Sequence, residues 1–495
     1  MLEQIKILVL IVTFGLFGFL LAKKVYAEHL AKDQFNSWIV SWLCVISAAC
    51  LTGNYWLFTI IVMVYFAYSV TKLKDNAIFL YIFLLPALPM LSNELPGFAG
   101  IRVIIEFTYP RMLSLAILMP LFFLYRNKIF PLRKIATDNY FLLLVVYLVM
   151  VSWVRSESVT DSLRSMIYVG TDYIFPYFVV SRLIDTAEKV KFAFIAMITS
   201  VAILASVNLM EHFKSWFVYH ELYQTLNINY GGFSSYVLIR DGTLRTTSVF
   251  ASPIVFGYIA TIALWLFLGV EVKKTYFYKI LFLLLLSALL SPLSRGPWVG
   301  FFISIIVFIW YAPRRSSNIV KFIIYGAVLF VTLLMTPYSD KVINLIPFVG
   351  NTDLGNISYR QDLFRSGLLV MEKNIFLGDK DFRLASELQH LIQGQGIIDI
   401  VNTYLQVVLQ YGLVGLIIFI LFFTQPMRQL IIIIKQKKIE NTERGFAISL
   451  VAILAAIMVI IATVSQIDYI PVYYILIISI MSALIRVLRG RITPL

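Results

Sequence analysis

Long apolar runs recur from one end of this chain to the other, and they constrain what it can fold into more than any other feature. They lie near 5–22, 36–51, 55–71, 77–91, 112–125, 140–154, 167–180, 192–209, 250–270, 280–293, 298–312, 319–336, 402–423, 446–465 and 472–487. A helix needs roughly 20 apolar residues to cross the hydrocarbon core of a bilayer. Several runs are shorter than that, and one or two early ones suit re-entrant segments, so the expectation is an all-α polytopic membrane protein with about 12–15 transmembrane helices. Composition agrees. Only 14% of residues are charged, against about 25% in a soluble domain, too few to cover a water-facing surface. This excludes a soluble multidomain enzyme and a disordered scaffold. The only two cysteines, Cys44 and Cys50, share one apolar run. Six residues of helix separate them by about 9 Å of rise, too far to bridge, so a disulfide framework is excluded as well.

The net charge of +14 reads as topology. Lys23 and Lys24 follow the first apolar run, where a signal peptide would carry its charge in front. That run is therefore expected to be an anchor with its N-terminus outside, despite the cleavage-like Val25-Tyr26-Ala27. Alternating the loops from there puts about 26 of the 41 basic residues on one side, in short loops, as the positive-inside bias requires. Arg182 and Arg486 are among them. That side is expected to be cytoplasmic, the C-terminus included, and nucleic-acid binding is not expected.

The opposite side holds two long loops, 210–249 and 337–401, with three and six basic residues. Ionisable residues inside the spans are scarce, Asp172 and Asp468 being the main candidates, whereas an ion-coupled transporter places such groups at mid-depth. The polar material gathers instead in the two long loops and one tight turn, as in an extracytoplasmic active site standing on a membrane scaffold.

Particular residues stand out there. Arg240 and Arg245 precede Ser252-Pro253 and the start of a span. A guanidinium is always charged and binds phosphate in bidentate fashion; the plainer alternative is an interfacial arginine among lipid headgroups. Arg295 follows Ser291-Pro292-Leu293-Ser294 in the tight turn, where Gly296 and Pro297 should reverse the chain and Pro297 suits a helix start. Its plainer role is binding backbone carbonyls. Arg360 and Arg365 lie where Leu363, Phe364, Gly367, Leu368 and Met371 recur at helical spacing, which predicts an amphipathic helix. Arg365 is expected to pair with Asp362, leaving Arg360 freer. Asp399 and Asn402 precede the next span. Capping explains both, yet Asp399 in an active site could serve as a base, or Asn402 could orient a hydroxyl. His390 is the only histidine of this loop. No histidine has a ligand-like neighbour, so neither a metal site nor a cofactor is expected.

These features together resemble the O-antigen polymerase and O-antigen ligase superfamily of bacterial envelope enzymes. The resemblance rests on Arg245-x-x-x-x-Phe250-x-x-Pro253, Ser294-Arg295-Gly296 with Trp298, Arg360 heading the amphipathic helix, Ile375-Phe-Leu-Gly378, and Asn402-x-x-Leu405 followed by Gly412 and Gly415. It covers roughly 165–425, between N-terminal spans (1–164) and C-terminal spans (426–495) that add nothing specific. It implies a metal-independent glycosyltransferase with a GT-C-like helical core, using a glycan on undecaprenyl diphosphate at the outer face of the bacterial cytoplasmic membrane. It also implies that Arg245, Arg295 and Arg360 hold the diphosphate. Ligases of the superfamily carry a histidine directly before the asparagine; here that position is Val401. The departure favours a polymerase of an exopolysaccharide, capsule or O-antigen over a ligase, with Asp399 or His390 assisting the acceptor. A lipid-linked sugar flippase is the reading from another class. A flippase and a chain-length regulator are expected partners by analogy.

Overall fold

The computed structural model describes residues 2–97, 103–156, 158–228, 239–240, 243–312, 354–393, 396–436 and 439–492. The expected span 319–336 and the first part of the second long loop lie outside them. Helices α1 (Leu2–Tyr26), α2 (Lys32–Leu51), α3 (Tyr55–Leu73) and α4 (Ala77–Leu84) come first. Then follow α5 (Tyr109–Leu124), α6 (Ala136–Arg155), α7 (Val159–Val169), α8 (Phe175–Leu183), α9 (Ala187–Lys214) and the short α10 (Glu221–Thr225). The remainder are α11 (Pro253–Gly269), α12 (Tyr276–Leu290), α13 (Arg295–Tyr311), α14 (Leu354–Lys373), α15 (Thr403–Lys435), α16 (Asn441–Ile461) and α17 (Ile470–Ile492). Among the described residues, eight helical stretches are long and apolar enough to cross a membrane, and α5, α11, α12 and α13 are shorter apolar helices. The protein is thus the all-α polytopic membrane protein that its apolar runs predict.

Two antiparallel hairpins depart from that expectation. Strands Ser92–Pro96 and Val103–Thr108 pair between α4 and α5, and Ile239–Arg240 pairs with Thr243–Leu244 before α11. The expected run 77–91 is accordingly helical only to Leu84. Two π turns, Ser114–Leu118 and Gly170–Ile174, run directly into Met119-Pro120 and Phe175-Pro176. Proline lacks an N–H and clashes with the carbonyl one turn back, and widening the helix relieves both.

Close helix packing follows small residues, as it does where lipid removes the hydrophobic drive between helices. A Cβ on Gly18 of α1 would fall 2.2 Å from the Ala202 carbonyl of α9. One on Gly300 of α13 would meet Ile460 and the Ala456 carbonyl of α16. Helix α9 is buried almost all round and serves as a central post.

Three basic-side residues and one aspartate form a sealed joint. Arg182 and Asp138 are both fully buried and pair at 2.7 Å. The Tyr177 hydroxyl and the Lys134 and Ile135 amides also donate to Asp138. Arg486 donates to the carbonyls of Ser181, Arg182 and Ile184. Arg182 and Arg486, counted above as loop charges, are therefore helix-joining residues. Asp172 in the second π turn is likewise engaged: Arg111 of α5 binds it at 2.9 Å, with its guanidinium 3.7 Å from the Tyr168 ring centre.

The second long loop has its own small core. Leu363 and Val370 of α14 pack with Phe382, Leu388, Leu391, Ile398 and Ile400, and with Leu405, Val408 and Leu409 at the start of α15. Helix α14 is therefore the expected one, but its buried stripe is Leu363, Ser366, Gly367 and Val370, while Phe364 and Leu368 are exposed. At Gly367 a Cβ would already lie 3.1 Å from Leu405, so nothing bulkier packs there.

Candidate functional site

The candidate site is built around a turn between the last two helices, residues 462–469. Thr403, the first residue of α15, donates its hydroxyl to the Val464 carbonyl at 2.7 Å. The Gln466 amide donates to the Gln406 side chain at 2.8 Å. The turn is thereby locked to the start of α15. Asn402 caps that helix, its side-chain oxygen accepting from the Tyr404 and Leu405 amides at 2.9 and 3.2 Å. Capping is thus the local work of Asn402, as the first helical turn leaves those amides without partners.

Asp399 reaches the same turn. Ser465 donates its hydroxyl to the Asp399 carboxylate at 3.2 Å, and Tyr359 of α14 donates to the Asp399 backbone carbonyl at 3.0 Å. Burial raises the Asp399 carboxyl above its ordinary value, against the opposing pull of Ser465, Arg360 and Arg383. Arg360, on the exposed side of α14, donates to the Thr463 carbonyl at 3.4 Å. So Asp399 and Arg360 approach one turn from two elements.

The arginine of the first loop arrives from the other side. Arg245 donates from Nε to the Pro292 carbonyl at 3.2 Å and from Nη2 to the Ser294 hydroxyl at 2.9 Å. Ser294 stands at the N-cap of α13 without using its side chain to cap; its hydroxyl is given to Arg245. Arg245 thus has protein partners where lipid headgroups were the plainer expectation. Arg295 follows Ser294 and opens α13. Gly296 lies inside the helix and does not make the reversal, which falls to Leu293 at φ +49. Glycine is needed at 296 because a Cβ there would stand 2.5 Å from the Thr463 hydroxyl. Pro297 lies in the first turn of α13, as predicted. Arg245 is thus held at Ser294, one residue before Arg295, and the next residue, Gly296, packs against Thr463 of the turn that Arg360 and Asp399 reach.

The backbone that presents Arg245 is itself held by buried acids. Glu211 accepts from the Ser248 amide at 3.0 Å, and Asp468 accepts from the Ala251 amide at 2.9 Å. Burial pushes the Asp468 carboxyl up to about 7, opposed by the Ala251 and Tyr469 amides. The His220 ring lies 3.3 Å from the Thr247 hydroxyl and 3.4 Å from the Phe250 carbonyl. Asp468 is therefore a backbone anchor of this loop.

The remaining sequence-derived candidates stand apart. Arg240 lies in the second hairpin. His390 is exposed on a 3-10 turn, Ser386–Leu391, and makes no hydrogen bond to the cluster among the described residues. Arg365 is exposed and does not form the expected ion pair with Asp362. Among the described residues no group of histidine, cysteine, aspartate and glutamate could hold a metal ion. Sequence reasoning missed Thr463, Ser465 and Gln466, because the last two spans carry no motif. It also passed over Arg383, one of the six basic residues counted in the second loop.

The class is a polytopic membrane protein whose candidate site joins the loop of Arg245, the start of α13, α14 and the turn at 462–469, beside a carboxylate with a raised pKa. Residues 280–420, from α12 to the first half of α15, match the family model described as O-Antigen ligase, in line with the resemblance to the O-antigen polymerase and ligase superfamily. That family is one of glycosyl-transfer-type enzymes acting on lipid-linked glycans in membranes. No curated protein matches the chain.

Proposed function

We propose that the protein is a polysaccharide polymerase, joining undecaprenyl-diphosphate-linked oligosaccharide repeats into an exopolysaccharide, capsule or O-antigen. The observation that carries this reading is that Arg245 is held at Ser294, directly before Arg295, while Gly296 packs against the turn on which Arg360 and Asp399 are held. A departing diphosphate is a concentrated anion, and fixed donors in a water-poor site stabilise charge as it develops without reorganising. Arg245 and Arg295 grip the diphosphate, with Arg360 at its edge. An acceptor hydroxyl attacks the anomeric carbon, the bond to the diphosphate oxygen breaks, and Asp399 takes the hydroxyl proton. Transfer is metal-independent, of the hexosyl type, on a GT-C-like core spanning 165–425 between N-terminal (1–164) and C-terminal (426–495) helices. The site faces outward from the bacterial cytoplasmic membrane and the C-terminus is cytoplasmic, which the positive-inside count supports. A flippase would supply the donor and a chain-length regulator would set the product.

The family description favours a second reading, ligase-type transfer of finished glycan to an acceptor. Val401 stands where ligases of the superfamily carry histidine, which supports the polymerase. Mass spectrometry of undecaprenyl-linked glycans from a deletion strain, resolved by membrane face, separates the readings. Single repeats accumulating on the outer face are expected. Long polymer retained on the lipid establishes the ligase, and repeats held on the cytoplasmic face establish a flippase.

A further inference from the structure

Helix α15 is broken at Gly412, which has φ +68 and ψ −175 inside an otherwise continuous helix. A break of this kind strips backbone groups of their helical partners, and in an apolar setting each must find another. Here they are satisfied from two places. The first is the segment after α14: Asp379 donates to the Leu409 carbonyl at 2.8 Å, and the Leu413 amide donates to the Ile375 carbonyl at 2.8 Å. The second is helix α6. Tyr147 donates to the Tyr411 carbonyl at 2.6 Å, and Arg155 donates from Nη1 to the Gln410 carbonyl at 2.6 Å. Arg155 Nη2 also donates to the Gly378 carbonyl at 2.8 Å and to that of Leu377. One guanidinium therefore ties the break in α15 to the inserted segment. Both lie outside α6, and the contacts cross more than 200 residues of sequence.

The consequence runs to the site. The inserted segment is the continuation of α14, whose small core also contains Ile398, Ile400 and the start of α15. Arg360 rides on α14, and Asp399 lies between Ile398 and Ile400. Tyr147 further lines a narrow cleft with Tyr411 and Gly415, whose far wall is Gln466, the neighbour of the Ser465 that holds Asp399. We infer that Arg155, assisted by Tyr147, is a positioning residue that sets the unit carrying Arg360 and Asp399 against the turn at 463–466. It touches no substrate. It acts by holding the joint through which that unit is docked, and its catalytic consequence rests on the function proposed above. Hydrogen bonds from a charged donor are stronger than those between neutral groups, so loss of several at one joint is enough to let the unit move.

The test uses the full chain in lipid nanodiscs, with Cys44→Ala and Cys50→Ala to clear the background. Spin labels are placed at Gln361→Cys on α14 and Lys214→Cys at the end of α9. A single narrow distance is expected for otherwise native protein. Arg155→Ala should add a second, longer distance and lower kcat for glycan extension at least tenfold, with KM for the lipid-linked donor changed less. Arg155→Lys, which retains charge and donors, should restore part of both. Tyr147→Phe, which removes one hydrogen bond, should broaden the distance without a second population. An unchanged distance in Arg155→Ala overturns the inference, as does an unchanged distance in Tyr147→Phe if Arg155→Ala does not accumulate. If the distances respond as expected but the parent protein extends no lipid-linked glycan, the positioning role stands and the proposed function fails.

Discussion

Gly378 and Gly412 meet backbone to backbone. Both have positive φ, and a Cβ on Gly378 would fall 2.5 Å from the Gly412 nitrogen, while one on Gly412 would fall 2.2 Å from the Phe376 carbonyl oxygen. No side chain fits between these two segments. The pair explains why glycine recurs in two motifs that are 34 positions apart in sequence, and it makes the first prediction sharp.

Gly412→Ala and Gly378→Ala should each destabilise the protein by at least ~2 kcal/mol, since left-handed backbone costs an L-residue about 1–2 kcal/mol before any clash is added. Gly396 also has positive φ, yet a Cβ there meets nothing. Gly396→Ala should therefore cost only the backbone term. Thermal unfolding of detergent-purified variants, followed by size-exclusion fluorescence, checks the ranking; equal losses at all three positions would refute the role of close approach.

Arg245 binds a carbonyl and a hydroxyl through Nε and Nη2, two in-plane donors on the edge of one guanidinium. Lysine cannot reproduce that fork. Arg245→Lys should cut glycan extension at least tenfold while leaving the amount of folded protein near that of the parent. Ser294→Ala, which removes one partner and keeps the cation, should lose less. In vitro extension of lipid-linked repeats measures both.

Asp399 is asked to accept a proton, and general-base catalysis contributes about 10²–10⁴-fold. Asp399→Asn keeps the acceptor for Ser465 but cannot take the proton, so activity should fall by about that factor while the fold persists. In the parent enzyme the carboxylate must be ionised. Because burial raises its pKa, the acidic limb of the rate profile should lie at higher pH than an ordinary aspartate would give. A rate that is flat through that range, or an active Asp399→Asn, removes Asp399 from the chemistry.

Asp468 links stability to pH. Its folded-state pKa of about 7 lies above the ordinary 3.8, so the folded state binds this proton more tightly than the unfolded chain. The contribution is fully present below about 4 and is lost as pH rises through about 7. Asp468→Asn, which stays neutral, should flatten the fall in melting temperature between pH 5 and 8. The same slope in both proteins would contradict the assignment.

The Asp138–Arg182 pair is sealed from solvent. Asp138→Ala leaves a buried cation without its counter-charge, which costs about 3–5 kcal/mol. Loss of folded protein is expected, with recovery in the double variant Asp138→Ala, Arg182→Met. Failure of the second change to recover any folded protein would show that the remaining bonds of Arg182 matter more than the charge.

Much of this was legible beforehand, and the boundary between legible and hidden is instructive. Arg245, Arg295 and Arg360 stood out as basic residues in otherwise charge-poor loops and as the positions that match the motifs of the family the chain resembles. Helix α14 was visible in its apolar spacing. Its buried face was not, since Phe364 looks like core and Ser366 does not, and only the nearness of Leu405 makes the small residues the buried ones. Arg365 and Asp362 have the spacing of an ion pair and do not form one. Exposed side chains at three-residue spacing gain little from pairing and lose rotamer freedom.

What the sequence by itself determined is the membrane character and most of the spans, because hydropathy is a local property that survives without a partner. Only the tertiary structure decided what Arg245 and Arg360 stand beside. The turn at 463–468 carries no motif, and its importance comes from Arg360, from Asp399 and Thr403, and from Ala251 arriving from three different segments. Arg155 likewise reads as one more basic residue at a helix end until α15 breaks beside it. A half-buried hydrogen bond between residues 255 positions apart is a consequence of packing, and no local pattern along the chain encodes it.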